Sequence, residues 1–298
     1  MTIDGETKLL CLIGSPVGHS KSPAMYNYCF DRMHLNYAYM AFEVKKEDTR
    51  KAFDALKLLQ VRGLNITMPC KTEACACCDA LSKAAELIGA VNTVVNEDGK
   101  WIGHNTDGIG WVRSMQAEGI DIRKKKMTIA GAGGAATAIA ITAALEGLRE
   151  LSIFARKNGH TYANAEKTAE KIRTHVRDCR VGVYDLEDRD LFYQEIADSD
   201  IFTNGTNVGM SPKDGESLIE DMSVFRKDLI VADVIYNPRK TKLLLDAQAH
   251  GCQTVAGIGM LLWQGAEAFR LYTDCQMPVR DVEQVCFAEP GAKEGLTR

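Results

Sequence analysis

The sequence predicts an α/β protein built from two domains, and three observations support this. Apolar segments of strand length alternate with helical segments along the chain, joined by loops of about 2–8 residues. A glycine-rich turn, GAGGAA, follows an apolar strand near the middle of the chain and opens a helix. The chain has 298 residues, which at roughly 150 residues per domain suggests two domains.

The first half begins with the strand KLLCLIG and the helix SPAMYNYCFDRMHL. Ser22 is expected to cap this helix, and Pro23 suits its first turn. The strand YAYMAFEV, the helix EDTRKAFDALKLLQ and the strand GLNITM follow. Residues 73–88 are predicted to form one helix. Two strands, AVNTVVN and WIGHN, flank the turn EDGK, and a helix is expected near 108–119.

The second half restarts the alternation with KMTIAGAGGAATAIAITAALEGL. Further strands are ELSIFARK, CRVGVYDL, DIFTNGT, LIVADVIY and CQTVAG, and the last helix, GMLLWQGAEAFRLYTDC, is expected to return to the first domain. The prediction is an N-terminal domain with a mostly parallel sheet (1–107 plus 259–298) and a Rossmann-type domain (108–258). Four glycines near the junctions are predicted to be flexible points: Gly108, Gly110, Gly257 and Gly259.

Charge and composition bear on several classes of partner. The net charge of −4 argues against a surface for nucleic acid or anionic membranes, and the basic run at 123–126 is short. No apolar run reaches the ~18 residues of a membrane span, and the start MTIDGETK does not resemble a signal peptide. We therefore expect a cytoplasmic protein whose ten cysteines are reduced. The spacing of Cys75, Cys77 and Cys78 is not that of a metal site, so no metal is expected.

The glycine-rich turn predicts a dinucleotide site. Gly131, Gly133 and Ala136 occupy the three fingerprint positions, which allow a tight turn, a close approach to a pyrophosphate and close helix packing. The alternative is a tight turn that binds nothing. After the next strand come Arg156 and Lys157, whose positive charges favour the 2′-phosphate of NADP over NAD. Alternatively, Arg156 only stacks on the adenine, which leaves either cofactor possible.

Five polar clusters lie at strand ends or loop starts, where ligands bind in α/β sheets. They are Ser20/Ser22, Asn65/Thr67/Lys71, Asn92/Thr93, Asn105/Thr106/Asp107 and Gln264. Hydroxyls and amides with one lysine and one aspartate can form a hydrogen-bonding cage for a polyol. The alternatives are that the serines are turn or cap residues, that Asn92 only satisfies backbone groups, and that Gln264 bonds a backbone carbonyl.

Several motifs in one order resemble the shikimate dehydrogenase family over nearly the whole chain. They are SPVGHSKSP, NITMPCK, GAVNTVV, GHNTDGIG, GAGGAA and GMLLWQGAEAF. Three segments, MAFEV, TNGTNVGM and GMLLWQGAEAF, are most similar to the branch that accepts quinate as well as shikimate. The resemblance implies an NADP- or NAD-dependent enzyme that reversibly reduces 3-dehydroshikimate to shikimate, with quinate as a possible second substrate.

The resemblance also implies roles for individual residues. Lys71 and Asp107 would be the catalytic pair, because an ammonium beside a carboxylate stays charged and can stabilise or protonate an oxyanion. Whether Lys71 is the acid/base or an electrostatic stabiliser stays open. Substrate-binding residues would be Ser20, Ser22, Tyr39, Asn65, Thr67, Asn92, Tyr236 and Gln264. Cofactor-binding residues would be Gly131, Ala132, Gly133, Gly134, Ala135, Arg156, Lys157, Asn158 and Gly257.

The chain departs from the family at two places. Asn158 stands where quinate-accepting members carry Asp. Cys70 stands where Phe or Asn is expected, so Cys70 is expected either to alter the pocket wall or to make the enzyme sensitive to thiol reagents. The alternatives are a quinate dehydrogenase, a non-catalytic regulator that binds the metabolite, and another NADP enzyme such as a folate dehydrogenase. The protein is expected to be a monomer or a homodimer.

Overall fold

The structure, a computed structural model, describes residues 2–288 and divides into two compact units. One unit contains the described residues up to Thr106 and those from Gly265 onward, and the other is Asp107–Gln264. Each unit contains one six-stranded sheet, and helices alternate with the strands along the chain. The predicted α/β architecture is confirmed.

The first unit has a mixed sheet with the strand order β2-β1-β3-β5-β6-β4. The strands β1 to β3 pair in parallel, whereas β5 is antiparallel to both β3 and β6. The strands are β1 (Lys8–Gly14), β2 (Tyr37–Glu43), β3 (Gly63–Ile66), β4 (Ala80–Leu81), β5 (Thr93–Glu97) and β6 (Lys100–His104). The helices are α1 (Ser22–Arg32), α2 (Thr49–Leu58) and α3 (Lys83–Ile88), with 3-10 helices at Lys46–Asp48 and Glu73–Cys77.

The second unit has an all-parallel sheet with the order β12-β11-β10-β7-β8-β9, the doubly wound order of a Rossmann domain. Its strands are β7 (Lys126–Ala130), β8 (Glu150–Ala155), β9 (Arg180–Asp185), β10 (Ile201–Asn204), β11 (Ile230–Asp233) and β12 (Gln253–Val255). Its helices are α4 (Asp107–Ala117), α5 (Gly134–Leu145), α6 (Tyr162–His175), α7 (Arg189–Ala197), α8 (Lys242–Ala249) and the first part of α9 (Gly257–Thr273). A 3-10 helix spans Met222–Val224.

The end of α9 packs within the first unit, as predicted for the C-terminal helix. The Tyr26 hydroxyl donates to the Gly265 carbonyl at 3.1 Å. The Phe269 ring stacks on Tyr26 and Phe30, with centroids 6.3 Å and 5.7 Å apart. The next helix, α10 (Val279–Cys286), lies against α1. No helix among residues 2–288 is long and apolar enough to cross a membrane.

The prediction of one helix over 73–88 is wrong. A 3-10 helix ends at Cys77, and β4 follows before α3 begins. The Asp79 carboxylate accepts the Trp101 N–H at 2.7 Å, and β4 pairs with β6. Ser82 then caps α3 by accepting the N–H of Ala85 at 3.3 Å. Pairing with a distant strand therefore overrides the helical preference of this Ala-rich segment.

The expected cap of α1 also differs. Ser22 is the first residue of the helix and Lys21 occupies the cap position, where no side chain makes a capping bond. The Ser20 hydroxyl accepts the N–H of Ser22 at 3.2 Å. The Ser20 hydroxyl thus accepts the first N–H of the helix, and the side chain of Ser22 does not cap the helix.

The glycines predicted as flexible points are required by close packing. A methyl group on Gly108 would collide with Ala138 and Thr142 of α5, and one on Gly110 would lie 2.6 Å from the Gln264 nitrogen of α9. Gly257 similarly allows the start of α9 to lie against the Val234 carbonyl. Within the second unit, these residues therefore let helix backbones approach each other closely.

Candidate active site

In the first unit, Asn65 links its own polar cluster to the Asn92/Thr93 cluster and to Tyr39. Its Oδ1 accepts the Tyr39 hydroxyl at 2.8 Å. Its Nδ2 donates to the Asn92 carbonyl and to Thr93 Oγ1, each at 3.2 Å. Asn65 lies on the buried strand β3 between β1 and β5, so the sheet itself places this amide among its partners.

Asn92 is the second centre of this network. Its Oδ1 accepts the Thr106 N–H at 2.8 Å, the Thr106 hydroxyl at 3.2 Å and the Thr93 hydroxyl at 3.0 Å. The polar cage formed by Tyr39, Asn65, Asn92, Thr93 and Thr106 therefore draws on β2, β3, β5 and the end of β6. Thr93 and Thr106 were predicted as members of the polar clusters, but neither was named as a substrate-binding residue.

Ser22 joins the cage at Tyr39. The Ser22 side chain interacts with the Tyr39 hydroxyl. Burial raises the pKa of Tyr39 well above its ordinary value, helped by the neighbouring Tyr26 and Tyr272. The phenol thus stays protonated and donates its single hydrogen to Asn65. Ser20 lies two residues earlier, and its hydroxyl accepts the N–H of Ser22.

Lys71 lies next to this network along the backbone. Its carbonyl accepts the Val91 N–H at 2.9 Å, so the lysine backbone is tied to the residue that precedes Asn92. The lysine itself is half-buried. Thr67, also half-buried, is held by a bond from its N–H to the Ile13 carbonyl at 2.9 Å.

Cys70, expected in the pocket wall, is instead a core residue. Its side chain is fully buried in the apolar cluster of the first unit, and its thiol donates to the Val44 carbonyl at 3.4 Å. The small thiol fits among packed apolar side chains there. The expectation that Cys70 alters the pocket wall is therefore wrong.

Asp107 and Gln264 belong to the second unit. Asp107 begins α4 and directly follows Thr106 of the polar cage, so their Cα atoms are about 3.8 Å apart. Gln264 is half-buried and its Nε2 donates to the Leu261 carbonyl at 3.1 Å, the backbone partner that the sequence analysis considered. The next residue, Gly265, accepts the Tyr26 hydroxyl.

The glycine loop of the second unit has the geometry of a pyrophosphate cradle. Gly131 has a φ of +102°, which favours glycine, and its N–H donates to the Phe154 carbonyl at 2.7 Å. Gly133 and Gly134 face open space, since an added methyl group would meet nothing within 4 Å. Ala135 lies in the first turn of α5, whose N–H groups have no partners within the helix.

Asn164 of α6 supports this loop and was missed by the sequence analysis. Its Nδ2 donates to the Ala132 carbonyl at 2.6 Å and to Thr137 Oγ1 at 2.9 Å. Asn164 therefore holds the glycine loop against the start of α5. An asparagine in a polar helix is common, and no local pattern distinguishes this one.

The residues predicted to contact the far end of the dinucleotide follow β8. Arg156, Lys157 and Asn158 are all exposed. The Lys157 N–H donates to the Asp185 carboxylate at 3.1 Å, which fixes the turn, and both basic side chains are open to an anionic ligand. Tyr236 is 52% exposed after β11, and Gly257 begins α9.

The cysteines are free thiols, and most of them bond to backbone or pack in the core. All ten are free, and the thiols of Cys75, Cys77 and Cys78 donate to carbonyls four residues earlier in the chain. No group of three or more metal-binding side chains occurs in the part of the chain that the structure describes.

Two family models match this chain. The shikimate dehydrogenase substrate binding domain matches residues 12–94, and the shikimate 5′-dehydrogenase C-terminal domain matches residues 257–287. The chain is 50% identical to the shikimate dehydrogenase (NADP(+)) of Listeria monocytogenes, over 96% of this chain and 97% of that protein.

Solved structures agree with these matches. The shikimate 5-dehydrogenase of Listeria monocytogenes, in complex with shikimate and NAD, superposes with a TM-score of 0.93 at 50% identity and covers 96% of this chain and 98% of its own. The quinate dehydrogenase of Corynebacterium glutamicum, in complex with NAD, has a TM-score of 0.84 at 30% identity and covers 94% and 98% of the two chains.

Proposed function

This chain belongs to the shikimate dehydrogenase family, and we propose that it reversibly reduces 3-dehydroshikimate to shikimate. The favoured cofactor is NADP(H), and NAD(H) is the alternative cofactor. The observation that carries this proposal is the polar cage: residues of β2 and β3, of the start of β5 and of the segment after β6 form one hydrogen-bonded network around Asn65 and Asn92. Hydroxyls and amides in such a cage suit the several hydroxyls of a ring acid.

We assign substrate binding to residues of this cage and to further polar residues of the chain. Ser20 and Ser22 bind the carboxylate of the acid, next to the Tyr39 hydroxyl. The ring hydroxyls are bound by Asn65, Thr67, Asn92, Asp107 and Gln264, while Tyr236 faces the substrate from the loop after β11. The direct peptide link from Thr106 to Asp107 supports the placement of Asp107.

The second unit fits a dinucleotide. The open faces of Gly133 and Gly134 leave room for a pyrophosphate at the start of α5, where helix N–H groups point outward. Exposed Arg156 and Lys157 after β8 would bind the 2′-phosphate, which favours NADP. Ala132, Ala135, Asn158 and Gly257 complete the proposed contacts.

Lys71 and Asp107 carry the acid/base chemistry of the proposal. The nicotinamide, when bound, supplies or accepts the hydride. Lys71 holds a proton on Nζ that passes to the carbonyl oxygen as the alcohol forms, and it takes a proton back during oxidation. The Asp107 carboxylate, at the start of α4, is the second member of the proposed pair.

The proposed activity is tested by initial rates of shikimate oxidation and quinate oxidation, each with NADP and with NAD. We expect shikimate with NADP to give the highest kcat/KM. Faster turnover of quinate with NAD would contradict both the substrate and the cofactor. Absence of turnover with all four combinations would favour a metabolite-binding regulator.

The role of Lys71 is tested by Lys71→Met, with Lys83→Met as the control because Lys83 is an exposed lysine of α3. A lost general acid lowers kcat by about 10²- to 10⁴-fold, with a smaller change in KM. The pH profile of kcat separates the two possible roles of Lys71. If Lys71 is the acid/base, Lys71→Met loses one ionisation from the profile. If Lys71 is only an electrostatic stabiliser, the profile keeps its shape.

The structure favours no second substrate over shikimate, and the quinate dehydrogenase relative is the more distant of the two described above. We further propose that the protein works in the cytoplasm as a monomer or a homodimer. Support for that compartment comes from the ten free cysteines, which a reducing environment keeps as thiols. Light scattering coupled to size exclusion distinguishes the two oligomeric states.

A further inference from the structure

We infer that Asp233, a buried residue at the end of β11, is a positioning residue for the dinucleotide. It holds in place two loops, one of which borders the glycine loop. This inference rests on the proposed function only in taking the ligand of this sheet edge to be a dinucleotide.

Asp233 is 2% exposed and joins three separate elements of the second unit. Its Oδ1 accepts Asn204 Nδ2 at 3.1 Å and the Ile235 N–H at 3.0 Å. Its Oδ2 accepts the Thr241 hydroxyl at 2.7 Å. Asn204 ends β10, Ile235 follows β11, and Thr241 caps α8, so one carboxyl group ties together two strand ends and a helix start. We call Asp233, Asn204 and Thr241 the Asp233 clamp.

Asn204 extends the clamp into the loop after β10. Its Oδ1 accepts the N–H and the hydroxyl of Thr206 at 3.0 Å and 2.8 Å. Its Nδ2 also donates to the Val208 carbonyl at 3.1 Å. The Thr206 hydroxyl in turn accepts the Val208 N–H at 3.1 Å. The orientation of Asn204 therefore determines the path of this loop.

The loop after β10 packs directly against the glycine loop. A methyl group on Gly131 would lie 2.8 Å from the Gly205 carbonyl oxygen, and one on Gly205 would lie 2.7 Å from the Ala136 side chain. The Gly205 N–H donates to the Ala130 carbonyl at 2.7 Å. Because the backbones touch, a shift of the loop after β10 moves the glycine loop or the start of α5.

The loop after β11 is held by the same carboxyl group. It carries Tyr236, and its Val234 carbonyl lies against Gly257 at the start of α9. The strand order of this sheet reverses between β7 and β10, and doubly wound sheets bind ligands at this point. The loops after β10 and β11 both lie on the β10 side of it. Asp233 itself is enclosed by its donors, so it acts through these loops and does not touch the ligand.

The test compares Asp233→Ala with Asp233→Asn, which keeps an oxygen for Asn204 and Ile235. Binding of NADP+ is measured by calorimetry, and the KM for shikimate is measured from initial rates at saturating NADP+.

The control is Lys126→Met. It removes a buried lysine that bonds Asp198 and Glu195 at the amino end of β7, whereas the clamp lies at the carboxyl ends of the strands. Should Asp233→Ala be insoluble, Thr241→Val replaces it, because it removes one donor and keeps the side-chain shape.

We expect the Kd for NADP+ to rise about tenfold in Asp233→Ala and to stay near the wild-type value in Asp233→Asn. Lys126→Met should lower Tm without changing this Kd or the KM for shikimate, and in Asp233→Ala the KM for shikimate should rise less than the Kd for NADP+. An unchanged Kd in Asp233→Ala at a lowered Tm would overturn the inference. Equal losses for NADP+ and shikimate would also overturn it. A wild-type protein that binds NADP+ without oxidising shikimate would refute the proposed function, yet the binding comparison would still decide the role of Asp233.

Discussion

Replacing Tyr39 with Phe removes one hydroxyl from the polar cage and leaves the ring in place. The lost group donates to Asn65 Oδ1 at 2.8 Å. The ring itself stays packed on Tyr26, with centroids 4.6 Å apart. The perturbation is therefore confined to the hydrogen-bonding network of the proposed substrate site.

The magnitude follows from the bonds that are lost. A buried Asn65 oxygen without its donor lowers the free energy of unfolding by about 1–2 kcal/mol. Without this donor, the Asn65 amide is no longer held in the orientation that binds a ring hydroxyl, and the loss of one neutral hydrogen bond there, worth about 1.4 kcal/mol, raises KM for shikimate about tenfold. The Kd for NADP+ should not change, because the glycine loop belongs to the other compact unit.

The assay measures initial rates over a range of shikimate concentrations, together with denaturant unfolding. Tyr37→Phe is the matched control, since Tyr37 lies on the same strand and its hydroxyl bonds only the Tyr272 carbonyl, at 3.4 Å, among the bonds described for it. If both variants show the same KM for shikimate, Tyr39 has no part in substrate binding and the assignment of the cage is wrong.

Three further predictions concern the second unit. Arg156→Ala should raise KM for NADP about tenfold or more and leave KM for NAD nearly unchanged. The substitution removes the contact between the guanidinium and the 2′-phosphate, a group that NAD lacks. Gly110→Ala should lower stability by about 1–3 kcal/mol and raise KM for shikimate, since the added methyl group lies 2.6 Å from the backbone of Gln264. Burial raises the pKa of Asp233 from 3.8 to about 6, so its contribution to stability is fully present below about pH 4 and is lost as the pH rises through 6. The unfolding free energy of the wild type minus that of Asp233→Asn should therefore fall by about 3 kcal/mol between about pH 4 and pH 7.

Matched measurements decide these three predictions. Arg177→Ala, at an exposed position of the same unit, should leave both cofactor constants unchanged, and an equal loss for NADP and NAD in Arg156→Ala would refute the 2′-phosphate contact. Gly215→Ala adds a methyl group that meets nothing within 4 Å, so it should be neutral. If the difference in unfolding free energy between wild type and Asp233→Asn stayed constant across the pH range, burial would not raise the pKa of this carboxyl group.

The polar cage was predictable in composition but not in connectivity. The amide and hydroxyl residues stand at strand ends in the sequence, and strand ends are where α/β sheets bind ligands. That Tyr39 bonds Asn65, 26 positions away, depends on β1 lying between β2 and β3, with β5 beyond β3. No local pattern contains that strand order.

Two errors have the same physical origin. The segment 73–88 has helical composition, yet pairing of β4 with β6 interrupts it. Cys70 follows the proposed substrate residues in the chain, yet its side chain turns into the core beside Val44. In both cases a tertiary contact outweighs the local preference, because distant packing partners contribute more than single-residue propensities.

By itself, the sequence determined the α/β class, the glycine turn with its helix, and the return of the last helix. Each of these depends on local periodicity, on small residues at turns and on chain order, all of which the sequence displays directly. Only the tertiary structure decided which polar groups bond one another, that Gly110 serves close helix packing, and that Asp233 joins two loops. These features depend on which distant residues meet when the strands assemble into sheets, and a buried polar group takes whichever partners that assembly provides.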